Sequence, residues 1–195
     1  MSEREFTSVV FDTSILDKWL GHLKDQDFTF LEIGTFEGRT TCYLLDNWPK
    51  CFVHTIDPCT KYPIENCPQM DVVSEKRIVN NLDSYCDDLI GRCEFHVVDS
   101  LYALAGFIRK EIEFDVVLVD GDHRRVPVLM DCVMAYDVLA SGGLMIIDDY
   151  NWRYVRGQDC PDSPHDGVDW FIQHCKPEVL HKDYYVVVRK PKESE

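Results

Sequence analysis

Residues 30–41 read FLEIGTFEGRTT. An apolar run enters a turn with glycines at 34 and 38, and helix-compatible residues follow. A buried strand, a glycine turn and a helix start are where many α/β proteins receive a nucleotide-type cofactor. The spacing excludes the two commonest versions. A phosphate loop needs G-x-x-x-x-G-K-[ST], and no Lys follows Gly38. The dinucleotide fingerprint G-x-G-x-x-G is absent too, because the order here is E-x-G-x-x-x-G from Glu32 through Gly34 to Gly38.

Outward from this turn, apolar runs alternate with helical patterns from about residue 28 to 148. FTFLEI, CFVHTI, CEFHVV, FDVVLV and GLMII read as strands. Between them the three- and four-residue recurrence of Ile78, Leu82, Tyr85 and Leu89 predicts a helix over Ser74–Ile90. A second helix runs from Ser100 as N-cap through Leu101, Leu104 and Ile108. A third covers Val126–Leu139. Continuous apolar strands separated by helices imply a parallel sheet covered on both faces. EVLHKD and YYVVVRK, with almost nothing between them, permit only an antiparallel hairpin. An early helix, about Ser14–Lys24, belongs to a helical cap formed by residues 1–27. Residues 151–166, NWRYVRGQDCPDSPHD, read as a long loop over the site. The expectation is one α/β domain over 1–195, doubly wound, with a mostly parallel seven-stranded sheet and an antiparallel C-terminal hairpin.

Each parallel strand ends in an acid: FLEIG, VHTIDP, FHVVDS, VVLVDGD and LMIIDDY. In a parallel sheet these ends share one edge, where doubly wound proteins bind ligands. Glu32, Asp57, Asp99, Asp120, Asp122, Asp148 and Asp149 therefore crowd one rim, and partly buried carboxylates that close repel one another. A cationic occupant resolves this better than a pyrophosphate does. S-adenosylmethionine carries a sulfonium, an ammonium and a ribose diol. The turn residues Glu32, Gly34, Thr35, Phe36, Glu37 and Gly38 are assigned to it. Gly34 gives the ligand access to the backbone, and Gly38 lets the helix start pack close to the strand. Asp57 is placed for the ribose hydroxyls, and Asp99 with Ser100 for the adenine amino group.

Composition narrows the setting. The chain has 195 residues, 45% hydrophobic, with a formal net charge of −15. That charge, with no basic cluster before the tail Arg189–Lys192, opposes nucleic acid as a partner. No run approaches the roughly 18 apolar residues that cross a bilayer, and MSEREFTSVV lacks a signal-peptide pattern, so a cytoplasmic protein is expected. Nine cysteines at irregular spacing, with no C-x-x-C pair, read as reduced thiols rather than a disulfide or zinc framework. Assembly state is open, a homo-oligomer included.

On these residues the sequence resembles the class I S-adenosylmethionine-dependent methyltransferases over about Phe28–Trp152. More narrowly, D-G-D-H, S-G-G and D-D-Y within FDVVLVDGDHRRVPVLMDCVMAYDVLASGGLMIIDDYNW resemble the macrocin-type sugar O-methyltransferases and, more distantly, catechol O-methyltransferase. The resemblance implies a Rossmann-like methyltransferase fold and methylation of a small hydroxyl-bearing acceptor. It also implies Mg2+ held by Asp120, Asp148 and Asp149, with Asp120 shared with the cofactor site, and Asp122 as general base. His123 is an alternative base or an acceptor contact.

Structural roles stay open beside these. Asp120 and Asp122 also suit turn-capping acids, His123 a hydrogen-bonded turn histidine, and Tyr150 and Trp152 packing at the sheet edge. His54 and His96, inside apparent strands, read as core or sheet-face residues rather than ligands, and nothing assigns a role to His165 or Cys160. The insert 58–70 fits as acceptor wall. Three other functions remain: methylation of nitrogen or of a protein side chain without metal, a non-catalytic binding protein on this fold, and, opposed by the glycine spacing, a nicotinamide oxidoreductase.

Overall fold

The computed structural model describes residues 4, 6, 11–60, 75–83, 85, 91–152, 154–155, 158–159 and 162–192. Most of the 58–70 insert and the C-terminal part of the helix expected over 74–90 lie outside them, as do Cys160 and residues 1–3, 5 and 7–10 of the N-terminal cap.

Seven strands form one sheet in the order β3-β2-β1-β4-β5-β9-β8. Strands β1 (Phe28–Ile33), β2 (Cys51–Ile56), β3 (Cys93–His96), β4 (Phe114–Val119) and β5 (Leu139–Ile147) run parallel. β8 (Glu178–Lys182) and β9 (Val186–Arg189) form the antiparallel hairpin, with β9 against β5. The sheet reverses between β1 and β4, which puts the crevice of a doubly wound fold at the ends of those two strands. This is the architecture expected from the apolar runs.

Alternation along each strand divides the core. Phe28, Phe30, Val53, Val116, Leu118, Leu144 and Ile146 face α1 (Ser14–Leu20), α2 (Arg39–Asn47) and α3 (Glu75–Leu82). Leu31, Ile33, Ile56, Val117, Val119, Met145 and Ile147 face α4 (Ser100–Arg109), α5 (Arg125–Asp137) and α6 (Pro164–Cys175). Each large apolar side chain so buried contributes roughly 1.5–3 kcal/mol. With both faces covered, ligands are left the strand ends.

Three boundaries differ from the sequence reading. Asp99, not Ser100, caps α4: its Oδ1 accepts the N–H of Leu101 at 3.0 Å. α5 stops at Asp137, and Leu139 already belongs to β5, whose apolar run extends back through S-G-G. Residues 151–166 are not wholly a loop. They hold a short hairpin, β6 (Tyr154–Val155) with β7 (Gln158–Asp159), and the start of α6. The sequence reading missed α6, although Ser163 before Pro164 is a helix-start signal and Val168 and Phe171 supply its buried stripe.

Candidate functional site

The glycine turn is fixed from three sides. Gly34 donates its N–H to the Ile56 carbonyl at 2.9 Å, and Asp120 donates its own to the Ile33 carbonyl at the same distance. At φ +99°, a Cβ on Gly34 would lie 2.1 Å from the Asp120 carbonyl oxygen. A close approach to the β4 end therefore demands glycine here. Gly38, at φ +75°, is the N-cap of α2 and packs against Leu82 of α3.

Asp57 holds this turn from the end of β2. Its Oδ2 accepts the Phe36 N–H at 2.9 Å and its Oδ1 the Cys59 N–H at 2.8 Å. Phe36 is itself left-handed, at φ +48°. Each carboxylate oxygen keeps a lone pair for a further donor. Burial raises the Asp57 pKa, offset by these backbone hydrogen bonds.

Glu32 is 1% exposed. Thr55 is its register partner on β2. Its Oε2 accepts the hydroxyls of Thr41 and Thr55, and Thr35 and Thr55 bond to each other at 2.6 Å. Burial pushes its carboxyl up to about 7 despite those donors. Two assigned residues point elsewhere. Glu37 pairs with Arg77 of α3 at 3.1 Å, and Ser100 donates its hydroxyl to Asp131 of α5 at 2.6 Å. Asp131, a buried acid that the sequence reading passed over, is likewise raised to about 7 by burial.

The acids after β4 and β5 converge. Among the described residues, Asp120, His123 and Asp149 each offer a ligand atom within 4.8 Å of the others. His123 Nδ1 lies 3.5 Å from Asp149 Oδ2, and its ring lies beside Trp152 with centroids 5.5 Å apart. Asp149 sits at φ +53°. Its Oδ1 accepts the Tyr184 hydroxyl at 2.7 Å, a partner from the β8–β9 turn that no sequence signal marked. Burial, then Asp148, Asp149 and Glu32, raise the Asp120 pKa well above the carboxylate range.

Asp148 is not one of the converging trio. It is buried, and burial with the Asp149 charge pushes its carboxyl up to about 7. Asp122 is engaged by Arg124: the guanidinium Nε donates to both oxygens at 3.0 and 2.9 Å, and Nη2 to Oδ2 at 2.5 Å. The guanidinium thus occupies both oxygens of Asp122, which leaves the carboxylate less free to meet an acceptor hydroxyl. The donor set fits a hard divalent cation. Two carboxylates and water would complete a magnesium shell, and a cation there would offset the burial and the neighbouring acid charges that raise Asp120.

Comparison with known proteins bears on the family and the fold. A family described as a methyltransferase domain matches residues 31–150. An uncharacterized protein of Acanthamoeba polyphaga mimivirus is 28% identical over 139 residues, 70% of this chain and 58% of that protein. MycE, a methyltransferase of the mycinamycin biosynthetic pathway crystallised with Mg and SAH, aligns at a TM-score of 0.66 and 17% identity. That alignment covers 97% of this chain and 51% of MycE. The O-methyltransferase TomG from Streptomyces achromogenes, solved with SAM, aligns at 0.63 with 19% identity over 92% of this chain and 79% of TomG. The chain thus spans little more than half of the mimivirus protein and of MycE. The matched segment takes in the glycine turn, Asp57, Asp99 and the converging acids, and by it the chain belongs to the methyltransferase domain family.

Proposed function

We propose that the protein is an S-adenosylmethionine-dependent methyltransferase that methylates the hydroxyl of a small molecule with a divalent cation assisting. The observation that carries this reading is the convergence of Asp120, His123 and Asp149 beside the glycine turn that Asp57 braces. When bound, the cofactor supplies an electrophilic methyl group, and Mg2+ lowers the pKa of an acceptor hydroxyl.

The chain's residues then have separate tasks. Asp57 keeps acceptor capacity for the ribose diol, while Gly34 to Gly38 form the wall of the cofactor pocket. Asp120 and Asp149 hold the cation, since magnesium prefers carboxylate oxygen to imidazole nitrogen. His123, the remaining group of the trio, takes the hydroxyl proton, with Asp149 orienting its ring through Nδ1. Attack in line with the carbon–sulfur bond needs both reactants held in register, which rigid strand ends provide. The base is thus reassigned from Asp122 to His123, because Arg124 occupies Asp122.

Calorimetry with S-adenosylhomocysteine tests the first half, and saturable 1:1 binding is the expected outcome. No heat and no thermal shift would overturn the cofactor reading. Transfer of labelled methyl to a panel of catechols and sugars should then require Mg2+. Full activity in EDTA would remove the metal and leave the transferase.

A further inference from the structure

A second cluster of ligating side chains lies away from the acidic cleft, on the outer strands of the sheet. His54 is on β2, and Glu94 and His96 are on β3, the edge strand. His54 and Glu94 are register partners, and Ile56 pairs with His96. Side chains two apart share a face, so all three project from one side of the sheet.

His54 Nδ1 and His96 Nε2 are 3.0 Å apart, with the ring planes within 11° and the centroids 5.3 Å apart. The centroid separation is about the N···N distance plus two ring radii. The rings therefore lie end to end, with facing nitrogens aimed at each other. Glu94 flanks that junction, Oε2 at 3.5 Å from His54 Nδ1 and Oε1 at 3.9 Å from His96 Nε2. His54 is held among Phe52, Phe107 and Phe114, and His96 packs on Phe107. The Glu94 side chain is 57% exposed, which opens the junction to solvent.

We propose that His54, Glu94 and His96 form a binding site for a borderline divalent transition-metal ion of the zinc class, separate from the acidic cleft. Two imidazole nitrogens and one carboxylate are a donor set for zinc, cobalt or nickel rather than magnesium. Burial lowers both histidine pKa values, so the neutral form that binds metal prevails at pH 7. The cation enters from the Glu94 side and takes the place of the N–H···N hydrogen bond, the donor imidazole giving up that proton to solvent and taking one at its other ring nitrogen. Zn–N distances of about 2.0–2.1 Å at a tetrahedral angle set the nitrogens about 3.3 Å apart. The pair must open by a few tenths of an ångström while the rings turn toward Glu94. His96 on the edge strand is the side that yields, and water fills the fourth position. The ion pins β3 to β2 beside the Asp57 N–H bond to the His96 carbonyl, 3.1 Å long.

The test is a Co2+ titration of the whole chain, followed by visible absorbance and calorimetry, with Asp120→Asn/Asp149→Asn removing the acidic cleft. One saturable Co2+ site should survive in that double variant and be displaced by Zn2+. His96→Gln should weaken it by at least the roughly 10–100-fold that changes beyond the direct ligands cost. Glu94→Gln, at an exposed position that does not threaten folding, should weaken it too. A silent double variant, or unchanged affinity in both His96→Gln and Glu94→Gln, would overturn the proposal.

Discussion

Glu32 shows how one buried acid makes stability depend on pH. Its carboxyl titrates near 7 in the folded chain against 4.5 for an unburied glutamate. The folded state therefore binds more protons than the unfolded one between those values, and stability falls as pH rises through the window. At about 1.4 kcal/mol per unit, the effect is on the order of 3 kcal/mol, complete above the folded pKa. Asp131, also raised to about 7, adds to it in the same direction. Glu32→Gln keeps an oxygen for Thr41 and Thr55 but cannot ionise. Without ligands, the variant should lose less stability than the parent between pH 5 and pH 8, as read from urea midpoints. Parallel pH profiles would contradict this. The sequence showed Glu32 near the end of a strand, in an acidic series. It could not show the two threonine hydroxyls, because they come from β2 and α2 through the strand register. The Arg124 fork on Asp122 was likewise invisible: the resemblance offered that acid as a base and the residues alone as a turn acid, but the fork depends on side-chain directions in the turn.

The secondary-structure elements differ in how far sequence exposes them. Five parallel strands were legible because burial on both faces leaves apolar runs, and the terminal hairpin because two strand-like runs follow each other with almost nothing between them. α6 was obscured by the Asp, Pro and Gly residues before it, which pull a reading toward loop, although Pro164 begins the helix. The β8–β9 turn carried no signal of function, yet it reaches the cleft. Asn151 donates its N–H to the Tyr184 carbonyl at 3.3 Å and its Nδ2 to the Asp183 carbonyl at 2.9 Å. Tyr184 then donates to Asp149, and burial with that bond raises the phenol pKa. A hydroxyl on Oδ1 fixes the carboxylate rotation and leaves Oδ2 toward His123. If Asp149 holds the cation, Tyr184→Phe should weaken Mn2+ binding by roughly 10–100-fold, the usual cost of losing an outer-shell partner. The fold should be intact, because the tyrosine is 52% exposed. Calorimetry with Mn2+ on parent and variant checks this. Equal affinities would show that the phenol only fastens the turn.

At the scale of the molecule, the chain carries a formal charge of −15, part of it on exposed side chains and part on the acids that converge at the strand ends. Cations can act on these two populations differently. General screening acts on the surface charges through a Debye length of about 8 Å at 0.15 M salt. A cation bound by Asp120 and Asp149 acts on one site and saturates. Mass action at 100 times the dissociation constant adds about 2.7 kcal/mol to folding. For a chain of this size each kcal/mol moves the midpoint by about 2–4 °C, so Mg2+ should raise Tm by roughly 5–11 °C. NaCl at matched ionic strength should not reproduce a saturating rise, and Asp149→Asn should abolish it while keeping the screening response. Thermal melts across both salts separate the two. A rise of equal size and shape in NaCl would mean that screening alone accounts for the stabilisation and that the converging carboxylates hold no metal.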